Sequence, residues 1–194
     1  LEYLEASADK FPNKVAFADL NKEITYKDLV ERAKQIGSVL AKDFEKNTAI
    51  PVFMEKGVDA ISLFFGIVYA GCFYVMMDTK QPKTRLSHIL DTLGVDTIIS
   101  SSNSQRDLEK LEFEGKTILL EDLEEKSFID QEILDARMAE HIDIDPLYGI
   151  FTSGSTGVPK GVIVNHRSTM DFIDVFTETF GIDDSDVIGN QAPW

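Results

Sequence analysis

Between Phe151 and Val162 the chain sets the hydroxyls of Thr152, Ser153, Ser155 and Thr156 around Gly154 and Gly157, then closes with Val158, Pro159, Lys160 and Gly161. These are the residue types that an anion-holding loop needs. Glycine lets backbone approach an anion with no Cβ in the way, and successive N–H groups can then converge into a nest. The four hydroxyls add neutral donors, and Lys160 adds a point charge suited to phosphate. Pro159 stiffens the exit and biases Val158 toward an extended conformation. The common phosphate loop, G-x-x-x-x-G-K-[ST], sets its lysine directly after a glycine and opens a helix. Here Lys160 follows Val158 and Pro159, and Gly161 to Val164 reads as a strand. The geometry this predicts is strand, loop, strand.

Other chemistries fit less well. A serine hydrolase built on Ser153 or Ser155, His166 and an aspartate lacks the G-x-S-x-G elbow, because Gly154 to Gly157 has the wrong spacing. The histidines are His88, His141 and His166, and with the single Cys72 they show no metal-ligand spacing. His88 reads as a surface or packing residue on an amphipathic helix. His166 reads as a helix-start or packing residue just past the strand that follows the loop.

The elements that must carry this loop follow from periodicity. Leu1 to Lys10 reads as a short helix, with Leu1, Leu4, Ala8 and Phe11 at helical spacing. Lys14 to Ala18 and Glu23 to Thr25 flank Asn21-Lys22 as a hairpin. Thr25 to Asp28 is a capping box that opens a helix to about Phe44. A strand (Ala49 to Met54), an apolar helix, a strand at Phe73 to Met77 and a helix from Pro82 to about Leu93 follow. Val95 to Ser100 and Thr117 to Leu120 read as strands, with a short helix from Ser104 to Leu111 between them. Glu121 to Asp145 reads as an acidic surface connection with one helical piece, Gln131 to Ala139. Tyr148 to Phe151 is the strand before the loop, and His166 to Phe180 a helix with Met170, Ile173 and Phe176 on one face. The alternation predicts an α/β fold, a largely parallel sheet flanked by helices on both faces, with no internal repeat or internal boundary.

With those elements in place, the run Phe151 to Val162, ending in His166, resembles the signature loop of the adenylate-forming (AMP-binding) superfamily. Its members include acyl-CoA synthetases, luciferases and amino-acid adenylation domains. Ile24-Thr-Tyr-Lys-Asp-Leu29 is similar to the first core motif of amino-acid adenylation domains. Tyr69-Ala-Gly-Cys-Phe-Tyr-Val-Met-Met-Asp78 is similar to the second, with Met76 where the motif has proline. Asn190 to Trp194 resembles the approach to the fourth motif, particularly in D-alanine–carrier-protein ligases. The resemblance implies that residues 1–194 are the N-terminal portion of the large AMP-binding domain, with the C-terminal domain absent. It implies ATP and Mg²⁺ as cofactors, an amino acid as substrate and an acyl or peptidyl carrier protein as partner. It implies that Thr152, Ser153, Gly154, Ser155, Thr156, Gly157 and Lys160 hold phosphate, and it assigns no catalytic side chain within the chain. The motifs for Mg²⁺, ribose and the C-terminal lysine have no counterpart here, so the stretch is expected to be inactive alone. The alternatives are an acyl-CoA synthetase of the same superfamily and a non-catalytic nucleotide-binding or interaction module. Thr25, Tyr26 and Leu29 have a purely structural explanation as helix cap and helix face.

Composition bounds the partners. Acidic residues outnumber basic ones, 34 to 19, for a net charge of −15. Such a chain repels nucleic acid and anionic membranes, so a phosphate must be held by local geometry against the global field. One cysteine permits no internal disulfide, which suits a reducing cytoplasm, and no secretory leader is visible. The uncharged run from Ala60 to Met77 is as long as a membrane span. Gly71 interrupts it, Asp59 and Asp78 bound it, and no basic cluster orients it. The expectation is a buried helix, a turn and a buried strand, with no membrane insertion.

Overall fold

The computed structural model describes residues 1–125, 128–152 and 159–191. Helix α1 (Glu2–Lys10) leads to an antiparallel pair, β1 (Val15–Ala18) and β2 (Glu23–Thr25). Thr25 then caps α2 (Tyr26–Asp43): its Oγ1 accepts from the Asp28 N–H at 3.2 Å, which satisfies one orphan donor of the first turn. Leu29, Ala33, Ile36 and Leu40 recur at helical spacing on α2 and are fully buried.

Strand β3 (Ala49–Phe53) and helix α3 (Val58–Tyr69) follow. Helix α3 is apolar on nearly every side because it lies between α2 and the sheet. Its crossing with α2 is set by two glycines. A Cβ on Gly66 would lie 2.5 Å from Ile36 Cγ2, and one on Gly37 would lie 2.6 Å from Tyr69 Cβ. Gly71, at φ +75°, ends this stretch. Its N–H bonds to the Val68 carbonyl and that of Cys72 to the Ile67 carbonyl, which turns the chain into β4 (Phe73–Met77). The uncharged run is therefore helix, turn and strand. Among the described residues no helix is long and apolar enough to cross a membrane.

Helix α4 (Lys83–Leu93), strand β5 (Thr97–Ser100), a 3-10 turn (Ser102–Ser104), helix α5 (Gln105–Leu111) and strand β6 (Lys116–Leu119) come next. The order across the six-stranded sheet is β6-β5-β3-β4, then β7 (Pro146–Thr152) and β8 (Lys160–Asn165) at the edge. All neighbours are parallel except the β7–β8 pair. The period-two alternation of strands sends Ile50, Val52 and Ile99 into a core shared with α2 and α3. Phe53, Met77 and Ile98 go to the opposite face, against Leu86, Ile89 and Leu90 of α4 and Leu111 of α5. Helices thus cover both faces of a largely parallel sheet, as the alternation predicted.

The stretch from Glu121 to Asp145 differs from expectation. It contains two helices, α6 (Leu120–Glu125) and α7 (Gln131–Ala139), and it is not merely a surface connection. Leu120 starts α6 directly from β6, and Leu120, Leu123 and Leu134 are buried. Leu134 packs with Ala33 and Tyr69, so α7 covers the α2–α3 crossing. The helical piece expected over Gln131 to Ala139 is α7, with the same bounds. The helix α6 and the burial of the three leucines were not expected, because leucines so sparse among acids show no periodic stripe. The last helix, α8 (His166–Phe180), is predicted to the residue, with Asn165 as its cap.

Candidate functional site

The strands flanking the hydroxyl- and glycine-rich run form an antiparallel hairpin at the edge of the sheet. Phe151 stands opposite Gly161, and Thr152 opposite Lys160. Of the predicted phosphate-holding residues, Thr152 and Lys160 are thus brought face to face, both exposed, with Thr152 Oγ1 3.5 Å from the Lys160 carbonyl. Ser153, Gly154, Ser155, Thr156 and Gly157 lie outside the described residues. Pro159 is buried and precedes β8 directly.

Two local features explain the hairpin's shape. A Cβ on Gly161 would come within 3.1 Å of the Phe151 ring, so glycine there lets the ring lie across the strand. Phe151 also packs against the core under α4. Beyond Gly149, however, β7 has no partner on its β4 side, since that ladder pairs only Tyr74 with Tyr148 and Val75 with Gly149. Near this point the Phe151 carbonyl accepts a 2.9 Å hydrogen bond from Arg85 Nη2 of α4, while Arg85 Nε donates to Gln81 Oε1 at 3.0 Å. Reading by residue type passed over Arg85, because a lone arginine in a helical pattern looks like solvated surface.

The other end of the hairpin is held by a charged cluster. Asp145, just before β7, is buried and paired with Lys46 at 2.8 Å. Its carboxylate also accepts from Asn47 Nδ2 at 3.2 Å and from the Ile142 N–H at 2.9 Å. Burial alone would raise this carboxyl, but those donors together hold it down at about 2. His141 Nδ1 lies 3.6 Å from the same carboxylate, and His141 Nε2 lies 3.1 Å from His166 Nε2. Burial lowers His141 despite Asp145. Burial first, and then the neighbouring His141 charge, bring His166 down to about 4. At neutral pH the pair is therefore uncharged and can share one N–H···N bond. The His166 N–H bonds to the Asp145 carbonyl, and the Arg167 guanidinium forks onto Asp143, so the start of α8 is stitched to the segment before β7. His166 is thus a helix-start and packing residue, and the partnership with His141 carried no spacing signal. His88 is exposed on α4.

The remaining candidates for chemistry are quiet. Burial pushes the Cys72 thiol up to about 11, which makes it a poor nucleophile. Among the described residues no group of three or more His, Cys, Asp or Glu is placed to hold a metal ion. A cavity of about 670 Å³ lies between α1, α3 and α8, walled by Leu4, Phe64, Phe65, Tyr74, Met170 and Ile173. It reaches His141 and His166 at the foot of the hairpin, but neither Thr152, Lys160 nor Arg85 lines it. Among the described lining residues there is no lysine or arginine side chain to meet phosphate, so the hairpin end remains the better candidate.

This geometry sits within a known lineage. Residues 4–194 match the AMP-binding enzyme family. Tyrocidine synthase 1 of Brevibacillus parabrevis is 27% identical over 194 residues, covering 97% of this chain and 17% of that protein. Among solved structures, the AMPPNP-bound form of the nonribosomal peptide synthetase FmoA3 superposes with a TM-score of 0.79 at 24% identity, over 95% of this chain and 19% of its own. A fatty acyl-adenylate ligase from L. pneumophila, in complex with acyl adenylate and pyrophosphate, superposes with a TM-score of 0.74 at 23% identity, over 94% of this chain and 33% of its own. At these identities the structural likenesses speak for the fold, and this chain spans a third or less of each of the three. The family match runs from α1 through the β7–β8 hairpin and α8, and on it the chain belongs to the AMP-binding enzyme family.

Proposed function

We propose that this chain is the N-terminal portion of the large domain of an ATP-dependent ligase that activates an amino acid as its adenylate. The acyl group would then pass to the phosphopantetheine thiol of a carrier protein. The observation that carries the reading is the hairpin end, where Thr152 and Lys160 close a hydroxyl- and glycine-rich run, in a chain that resembles tyrocidine synthase 1 in sequence and a nonribosomal peptide synthetase in fold. In the first half-reaction a carboxylate attacks the α-phosphate of ATP and pyrophosphate leaves. The protein's work there is to orient two anions and to meet the developing charge with fixed donors.

Thr152, Ser153, Gly154, Ser155, Thr156 and Gly157 supply backbone N–H groups and hydroxyls to the β- and γ-phosphates in this reading. Lys160 supplies a cation at the loop's exit. A protein of net charge −15 gives an incoming nucleotide no general attraction, so these local donors must do the holding. Mg²⁺, when bound, would offset phosphate charge; among the described residues no group of three or more His, Cys, Asp or Glu is placed to hold it. A reducing cytoplasmic location belongs to the proposal, since the lone cysteine is buried and unpaired.

The test is pyrophosphate exchange into ATP by the full-length protein, assayed over the common amino acids and D-alanine. Exchange with one or a few of them is expected. A fatty acid supporting exchange where no amino acid does would favour a second reading, acyl activation, which the likeness to the fatty acyl-adenylate ligase recommends. Nucleotide binding without exchange on any carboxylate would leave a non-catalytic module.

A further inference from the structure

We propose that Arg85 is a positioning residue for the proposed phosphate-holding hairpin, tying β7 to α4 where its ladder with β4 ends. The inference rests on the functional reading above but starts from backbone accounting. Strand β7 is paired with β4 only as far as Gly149, while its pairing with β8 continues to Thr152. Ile150, Phe151 and Thr152 therefore run beyond the parallel ladder with support from one side. A carbonyl left without a partner there would loosen the strand end that leads into the loop. Arg85 supplies the partner from α4, with Nη2 on the Phe151 carbonyl at 2.9 Å.

The guanidinium is suited to this task because it is a rigid fork. One arm is fixed by Gln81 Oε1, and the Gln81 N–H is itself bonded to the Asp78 carbonyl at 3.0 Å, so the donor to Phe151 is aimed before any ligand arrives. A lysine would carry the same charge but could not make both bonds in one plane. Arg85 is half-buried, and no carboxylate among the described residues lies within ion-pair distance of it. Its α4 neighbour Lys83, by contrast, is paired with Glu112 at 2.6 Å. Nη1 has no hydrogen-bond partner among the described residues. In an acidic chain, an uncompensated cation held one residue from the Thr152–Lys160 pair biases the hairpin end toward an anion.

The experiment compares wild type, Arg85→Ala, Arg85→Gln and Arg85→Lys by amide hydrogen exchange and by ATP–pyrophosphate exchange in the full-length protein. Arg85→Ala is expected to speed exchange at Phe151, Thr152 and Gly161 about tenfold, the loss of one hydrogen bond to a charged donor, with Ile98 and Ile99 of β5 unchanged. Arg85→Lys shares this defect, since it keeps the charge and loses the fork. The KM for ATP rises in Arg85→Ala and falls back on adding free guanidinium, while transfer from a preformed adenylate is spared. Unaltered amides at the hairpin end in all three variants overturn the proposal, as does equal loss in both half-reactions. Should Arg85→Ala fail to fold, the lysine and glutamine variants give the same readouts. A wild type without any ATP-dependent exchange would refute the functional reading, and the amide data would still decide whether Arg85 holds Phe151. Loosened amides with an unchanged KM for ATP would reject its role toward phosphate.

Discussion

Lys160 and His166 sit six residues apart on one strand and helix start, yet the structure gives them opposite kinds of work. Lys160 is exposed at the loop's exit. Replacing it with alanine should cost little stability, within about 0.5 kcal/mol as for other surface changes. The same change should slow adenylation by about 10²-fold if a donor aimed at developing charge is lost. Transfer of a preformed adenylate should be spared, because pyrophosphate has already left. Measuring both half-reactions with a thermal melt decides it, and equal loss in both would exclude a phosphate-specific role. His166 instead bears on pH. An ordinary histidine titrates near 6.5, and His166 is held down to about 4 in the folded chain. Between those values the unfolded chain binds the extra proton, so stability falls as the pH drops from 6.5 toward 4. With the ring only half-buried, the loss attributable to it is about 1–2 kcal/mol. Asp145, lowered from 3.8 to about 2, adds a second loss as the pH falls through that lower window. Melting curves from pH 7.5 to 4.5 should show the first decline, and His166→Asn should flatten it. Identical slopes in the two proteins would mean the His141–His166 contact carries no linkage.

At the scale of elements, the α2–α3 crossing and the β7–β8 hairpin each depend on glycine for a different reason. At the crossing the need is closeness, since a methyl on Gly66 would overlap Ile36 at 2.5 Å. Gly66→Ala should destabilise the domain by about 1–3 kcal/mol, the usual cost of forcing extra volume into a packed core. Chemical denaturation would register this as a lower midpoint with an unchanged slope. At the hairpin the need is an open strand face for Phe151, whose ring lies 3.1 Å from the built Cβ of Gly161. Gly161→Ala should therefore cost less, about 1 kcal/mol, because the ring can shift by a few tenths of an ångström. The larger effect should fall on the hairpin end, read as faster amide exchange at Thr152. A larger global loss at Gly161 than at Gly66 would reverse this ranking.

For the whole molecule, the notable surface is apolar. Phe172, Val175 and Phe180 of α8 are each more than 60% exposed, as is Val187 beyond it. The rings of Phe172, Phe176 and Phe180 meet at one-turn intervals, the first pair stacked and the second tilted, with centroids 5.5 and 4.7 Å apart. A contiguous patch of this kind is uncommon on a free soluble surface. The 194-residue chain should bind a hydrophobic dye in its folded state and self-associate as concentration rises. Phe172→Ser with Phe180→Ser should weaken both without lowering the melting temperature, because neither side chain is buried. A strictly monomeric chain with no dye binding would sink this expectation.

What the amino-acid order determined by itself was what depends on near neighbours. The Thr25 cap, the stop at Gly71, the helix starting at His166 and the alternation that makes a parallel sheet are set by local spacing and turn chemistry. The hydroxyl and glycine run reads as a loop between two strands for the same reason, with Thr152 and Lys160 inside the loop; the structure carries the strands one residue further and puts both on them. What tertiary structure alone decided was every partnership across long stretches of chain. Arg85 meeting Phe151, His141 meeting His166, Lys46 meeting Asp145 and Leu134 covering the α2–α3 crossing leave no periodic trace. Each side chain taken alone looks like ordinary surface or connection. Their roles appear only once the fold brings α4 and the segment before β3 against the two ends of one hairpin and α7 against the α2–α3 crossing, because hydrogen bonds, ion pairs and packing depend on distance in space and not on separation along the chain.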